Sequence, residues 1–146
     1  MSDFLKSIFI SVLMASSVGG VMAKEVVVNI QGIEPSKGGN IMLLLFSEKG
    51  FPKKHDLALE ILTVKADATE IQLSFNTELD ELALKVLHDE DENGQVTKNW
   101  TGIIPAEGLG FTNKQTIGIT GPPSYKKSKV AINESQSQFN IQVRYP

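Results

Sequence analysis

Apolar and polar residues alternate strictly in two segments of the chain, at positions 71–75 and 139–145. Weaker copies of the same pattern occur at 26–30 and 82–86. Successive side chains of a β-strand point to opposite faces, so a period of two places one face on a core and the other in water. The pattern therefore predicts half-buried strands at these four places.

Residues 41–46 are apolar without alternation, which predicts a central strand covered on both faces. Around 61–62 the phase of the alternation slips, which indicates a bulge or a late strand start. Residues that tolerate turn conformations separate the strands at 34–40, 66–69 and 133–136. With about seven short strands, the pattern predicts an all-β fold, an antiparallel β-sandwich of transthyretin-like or immunoglobulin-like type.

The first 23 residues do not follow the strand pattern. No charged residue occurs between Lys6 and Lys24, and positions 8–14 are strongly apolar. A slightly positive start, an apolar run and a small residue at Ala23 are the three parts of a secretory signal peptide. The alternative is a retained membrane anchor, but the uncharged run contains serines and glycines and is short for a bilayer span. We expect residues 1–23 to be a signal peptide and residues 24–146 to form a single β-sandwich domain.

Composition excludes some classes of partner and some kinds of functional site. The chain of 146 residues has 14 basic and 17 acidic side chains and no cysteine. Nucleic-acid-binding domains usually carry a basic excess, so we expect no nucleic acid partner. The lack of cysteine excludes disulfides, thiolate zinc sites and cysteine nucleophiles. The signal peptide predicts an exported protein, periplasmic or secreted, with no transmembrane segment after cleavage.

Residues 89–126 do not show the alternation of apolar and polar residues that predicts strands, and we predict one long loop there. It holds six of the twelve glycines and three of the six prolines, together with Trp100, Phe111 and Tyr125. Long loops in compact domains tend to be functional or disordered, and the aromatic residues argue against disorder. Trp100 and Tyr125 are candidate contacts for a sugar ring or a peptide. The alternative is that both rings pack beneath the loop as a small core.

The long loop begins with an acidic turn at 88–95. Asp89, Asp91, Asn93 and Gly94 match the first half of a calcium-binding loop, in which alternate residues turn oxygen ligands towards one cation. The candidate ligands are the carboxylates of Asp89 and Asp91, the side-chain carbonyl of Asn93 and the backbone carbonyl of Gln95. Gly94 would serve the conformation only, because it permits the sharp bend.

The second half of the calcium motif is missing. Trp100 occupies the position of the bidentate glutamate, and Thr97 occupies the ninth position. A bound ion would need water or a distant carboxylate such as Glu107 or Glu48. The alternative is a solvated acidic β-turn without a metal, and the sequence leaves both open. If calcium binds, the expected dissociation constant is about 10⁻⁴–10⁻³ M.

Catalytic motifs are absent from the sequence, which contains no G-x-S-x-G elbow, H-E-x-x-H helix or phosphate-binding loop. The two histidines are His55 and His88. Adjacent residues of a strand point to opposite faces, so His88 and Asp89 do not form a catalytic pair. We predict no catalytic residue and expect His88 to be a partly buried strand residue. The catalytic alternative is a small hydrolase or isomerase that uses His88 and the nearby acids.

Four pieces of sequence follow one another at set places: the acidic turn at 88–94 and the runs at 102–105, 107–113 and 121–125. Together they resemble an uncharacterised bacterial exported family, domain of unknown function 2141. The resemblance covers nearly all of the chain after residue 23 and implies a transthyretin-like or carboxypeptidase-regulatory-like β-sandwich with no established activity. The family's turn usually reads D-E-N-G-N-G-x-x-D. Thr97 stands in place of the final aspartate, and this departure weakens the implied ion site.

The sequence and the resemblance therefore favour a non-catalytic exported β-sandwich module of a Gram-negative bacterium, of unknown biological role, with the 89–95 turn as a candidate for a weak calcium site. The first alternative is a carbohydrate- or peptide-binding module that uses the loop aromatics. The second is a small hydrolase on a transthyretin-like fold. The sequence identifies no partner and no oligomeric state.

Overall fold

A computed structural model describes residues 22–146, and these residues form an all-β sandwich of two sheets. The predicted fold class is confirmed, with eight strands in place of about seven. The strands are β1 (Lys24–Gln31), β2 (Asn40–Phe46), β3 (Glu60–Lys65), β4 (Ile71–Thr77), β5 (Glu81–Asp89), β6 (Gly108–Phe111), β7 (Val130–Ala131) and β8 (Gln138–Gln142). One four-residue helix, α1 (Tyr125–Ser128), precedes β7. The predicted signal peptide lies outside the described residues apart from Met22 and Ala23.

The first sheet has the order β4-β1-β8, and the second has the order β3-β2-β5-β6, with β7 pairing beside the start of β5. All pairs are antiparallel except β1 with β8, which is parallel and corrects the fully antiparallel prediction. The turn at 133–136 brings the chain back to the end of the sandwich where β1 begins, and the Val27 amide donates to the Ser137 carbonyl over 2.8 Å. From there β8 can only run in the same direction as β1.

Alternation along β2 and β5 separates two layers of core. Odd residues of β2 and even residues of β5 face the other sheet and join the main core, which includes Ile41, Leu43, Leu84 and Val86. The opposite face of the same strands packs in a second cluster beneath the loops, built from Met42, Leu44, Phe46, Leu87, Leu109 and Phe111. The prediction that 41–46 is covered on both sides is confirmed.

Strand β3 pairs with β2 in one unbroken register from Asn40–Lys65 to Leu45–Glu60. The phase slip at 61–62 therefore marks a late strand start at Glu60, and the predicted bulge is absent from this strand. Ile61 is 40% exposed because β3 is an edge strand whose outer face lies in solvent.

The predicted loop at 89–126 is interrupted by β6, which corrects the prediction of one uninterrupted loop. Two of the four residues of β6 are glycines, a composition that gives little strand signal. The glycines are required by close approach: a Cβ on Gly110 would lie 2.6 Å from the Ile141 side chain. In residues 22–146 no helix is long and apolar enough to cross a bilayer.

Candidate metal site and the loops around it

Asp89 ends β5 and organises the acidic turn that follows it. Its side chain is buried, and its two carboxylate oxygens accept the backbone N–H groups of Asn93 over 3.1 Å and Gly94 over 2.8 Å. Gly94 has a φ of +74°, in the left-handed region that glycine adopts without a steric cost. The turn thus folds back over the carboxylate, as the sequence motif implied.

A hairpin at 97–106 follows the turn and returns the chain to β6. The Ala106 amide donates to the Thr97 carbonyl over 2.8 Å, and the Asn99 amide donates to the Ile104 carbonyl over the same distance. We call this segment the first hairpin. Its two ends lie side by side, so residues that are ten positions apart in sequence meet at its base.

Glu107 is brought to the acidic turn by the base of the first hairpin. Its buried carboxylate accepts the backbone N–H groups of Glu90 and Thr97, each over 2.7 Å. The Thr97 hydroxyl donates to the exposed carboxylate of Asp91. One carboxylate therefore ties the turn to the hairpin.

The structure brings three carboxylates together. Asp89, Asp91 and Glu107 each offer an oxygen, and these oxygens lie within 4.8 Å of one another. Calcium binds oxygens at 2.3–2.6 Å, so two ligands on opposite sides of one ion are about 5 Å apart. The spacing fits one cation. Glu107 is one of the two distant carboxylates suggested from the sequence; the other, Glu48, does not belong to this group.

The side chain of Asn93, another predicted ligand, is engaged in hydrogen bonds within the turn. The Asn93 side chain accepts from the Gln95 amide over 3.0 Å, and its amide group donates to the Thr97 hydroxyl over 3.0 Å. Asn93 and Gln95 therefore stay predictions as ligands.

The three carboxylates differ in their protonation behaviour. Burial raises the pKa of Asp89 and the pKa of Glu107 above their ordinary values. The hydrogen bond from Thr97 lowers the pKa of the exposed Asp91. Two buried carboxylates beside a third one form an environment in which a divalent cation would be electrostatically favourable.

His88 lies entirely within the main core, more deeply than the expected partly buried position. Its Nε2 donates to the Gly38 carbonyl and its Nδ1 accepts from the Tyr145 hydroxyl, each over 2.6 Å. Both ring nitrogens are thus engaged, and His88 lines neither of the two described cavities. His88 therefore cannot act as a general base in this arrangement, and the hydrolase alternative loses its candidate residue.

A buried cation on the outer face of β5 was not anticipated from the sequence. The Lys85 ammonium donates to the Pro52 carbonyl and to His55 Nε2, each over 2.8 Å, and His55 Nδ1 donates to the Gly94 carbonyl over 2.8 Å. Burial lowers the pKa of Lys85 to about 8, and it also lowers the pKa of His55. The sequence offered one indication of this buried cation, since Lys85 is a single charged residue within the apolar run of β5. This network connects β5 to the acidic turn.

The two candidate contact aromatics lie at opposite ends of β5. Trp100 sits in the first hairpin, beyond Asp89, and is 95% exposed. Tyr125 contacts Phe51 edge to face and lies 3.5 Å from Glu81, the first residue of β5. The structure therefore does not join them into one binding surface, and the predicted small core containing both rings is absent.

Together, the fold and the site define a small all-β domain with a candidate metal site beside a central strand. The model of a family described as "Uncharacterized protein conserved in bacteria (DUF2141)" matches residues 28–140. The chain belongs to this family. Comparisons with curated proteins and with solved structures found no match.

Proposed function

We propose that this chain is a non-catalytic, exported β-sandwich module that binds calcium at its acidic turn. The observation that carries the proposal is the meeting of Glu107 with Asp89 and Asp91, whose oxygens lie within 4.8 Å of one another. Asp89 and Asp91 precede the first hairpin and Glu107 follows it, so an ion held between them would bridge the two ends of that hairpin. Such an ion would hold the first hairpin in a fixed position against the turn.

Calcium is favoured over smaller or softer metals by the ligand chemistry. The group contains only carboxylate oxygens, with no cysteine in the chain and no histidine in the cluster. Hard cations prefer oxygen ligands, and calcium accepts irregular sets that water can complete, whereas magnesium requires near-octahedral geometry. Weak binding, with a dissociation constant of about 10⁻⁴–10⁻³ M, suits three carboxylates on loops in an exported protein.

Calcium is expected to raise the melting temperature. A ligand that binds only the native state stabilises it according to its concentration relative to the dissociation constant, which here gives on the order of 5 °C at about 10 mM calcium relative to chelator. Asp91→Asn should abolish the rise with little effect on the melt in chelator, because Asp91 is exposed. Thr97→Asp should enlarge the rise by adding a fourth carboxylate beside Asp91.

Asp67→Asn is the matched control, because Asp67 is an exposed acid in the turn between β3 and β4, away from the cluster. This variant should keep the full calcium response. Equal melting temperatures in calcium and in chelator for the unchanged protein would contradict the site. A calcium response that persists in Asp91→Asn would show that calcium binds at another place in the protein.

Export is supported by the N-terminal sequence pattern, which has the three parts of a secretory signal peptide. Expressed in a Gram-negative host, the protein recovered from the periplasm is expected to begin at Lys24, as read by intact mass. Ala23→Arg, which changes the residue before the predicted cleavage point, should leave the precursor uncleaved. Recovery of uncleaved chain from the cytoplasm alone would contradict export.

A further inference from the structure

Two neighbouring hairpins present large apolar side chains to solvent. Trp100 and Ile103 at the tip of the first hairpin are 95% and 78% exposed. A second, tighter hairpin at 117–121 is closed by hydrogen bonds between Gly118 and Gly121, and Ile119 at its tip is fully exposed. Contiguous exposed apolar surface on a small domain usually marks an interaction site.

The two hairpins border one groove of about 630 Å³. Ile104 lines it from the first hairpin and Ile117 lines it from the second, so the two hairpins flank the same groove. Lys114 and Arg144 line the same groove. We call the tips and the groove together the hairpin surface.

Basic side chains belong to the hairpin surface: Lys114 and Arg144 line the groove, and Lys98 lies in the first hairpin. Lys98, Lys114 and Arg144 take part in none of the ion pairs found within residues 22–146. Glu107 also lines the groove, but it is buried, and both of its oxygens accept backbone N–H groups.

We propose that the hairpin surface docks onto a lipid bilayer that contains anionic headgroups. The apolar side chains protrude at two convex tips, and a fluid bilayer can accept protruding tips without a matching socket, whereas a folded protein partner would need one. Tryptophan is enriched at membrane interfaces, and basic side chains beside the inserted residues attract anionic lipid. Trp100, Ile103 and Ile119 would enter the interface, with Lys114 and Arg144 at headgroup level.

The chain carries its own probe, because Trp100 is its single tryptophan. The full chain is mixed with phosphatidylcholine vesicles containing about one third phosphatidylglycerol, with and without brominated acyl chains. We expect a blue shift of the emission and quenching by the brominated lipid. The quenching reports insertion of Trp100 itself, so attachment through the N-terminal segment alone would not produce it.

Matched variants test the two parts of the surface. Ile119→Ser should weaken vesicle binding about tenfold, since burial of a large aliphatic side chain is worth at least that factor. Leu79→Ser, an exposed leucine at the opposite end of β5, should have no effect. Lys114→Gln with Arg144→Gln should remove the preference for anionic vesicles, whereas Lys49→Gln with Lys65→Gln should keep it.

Four results would overturn the proposal. The first is the absence of quenching by brominated lipid at saturating vesicles. The second is equal binding to purely zwitterionic vesicles. The third is a blue shift that grows with protein concentration in buffer and is unaffected by lipid, which would identify self-association. The fourth is a blue shift produced only by monomeric decanoate, which would identify a pocket for a free anionic amphiphile.

Discussion

His88→Ala is expected to lower the free energy of unfolding by about 4 kcal/mol. The imidazole is fully buried, and its removal leaves a cavity in the main core together with two polar groups that lose their partner, the Gly38 carbonyl and the Tyr145 hydroxyl. Large-to-small core substitutions cost about 2–5 kcal/mol, and a buried unsatisfied polar group costs about 1–3 kcal/mol. Urea unfolding followed by circular dichroism measures the change.

Tyr145→Phe separates the hydrogen bond from the packing. The variant keeps the ring that packs on His88 but removes the hydroxyl, which also accepts the Glu34 amide over 3.0 Å. A loss of about 1–2 kcal/mol is expected. Gln138→Ala, an exposed position on β8, should change the free energy by less than about 0.5 kcal/mol. An unchanged stability in His88→Ala would contradict the structural role assigned to this histidine.

Stability is expected to rise between pH 8 and pH 10 because of Lys85. The folded chain releases the proton of Lys85 at about pH 8, whereas the unfolded chain keeps it up to the ordinary value of 10.5. In that window the unfolded state binds more protons, so the free energy of unfolding increases with pH, by about 3 kcal/mol over the full window. Below pH 8 Lys85 is protonated in both the folded and the unfolded state, so it does not make the free energy of unfolding depend on pH.

The pH profile of Lys85→Met is the control for this prediction. Methionine fills a similar volume without a titratable group, so the rise between pH 8 and pH 10 should disappear. The raised pKa values of Tyr125 and Tyr145 act in the opposite direction above pH 10, because the unfolded chain ionises first there. A profile of the unchanged protein that is flat from pH 8 to pH 10 would show that Lys85 is not the buried cation described.

The pattern of apolar residues predicted the strands well where a strand has one face in solvent or has both faces buried. Residues 71–75, 139–145 and 41–46 behave as their patterns indicate, and the alternation of burial continues beyond the end of β8 to Tyr145. The parallel pairing of β8 with β1 was not predictable, because the side-chain pattern is the same for both directions. Strand β6 was not predicted because glycine gives little strand signal. Its glycine at position 110 is needed because the Ile141 side chain approaches closely across the sandwich.

Only part of the candidate site could be predicted from the sequence. The spacing of Asp89, Asp91 and Gly94 indicated a turn that gathers oxygens, and the structure shows such a turn. Glu107 was one of two distant acids considered, and the hydrogen bonds of the first hairpin select it. The network of Lys85 with His55 could not be predicted, because the loop that carries His55 meets β5 only through tertiary packing.

Crystals of the protein grown in millimolar calcium test the central claim most directly. We expect an anomalous difference peak about 2.3–2.6 Å from oxygens of Asp89, Asp91 and Glu107. The same peak should be lost in crystals of Asp91→Asn. Density at this position that contains only water in saturating calcium, with the three carboxylates in place, would contradict the assignment of a calcium site.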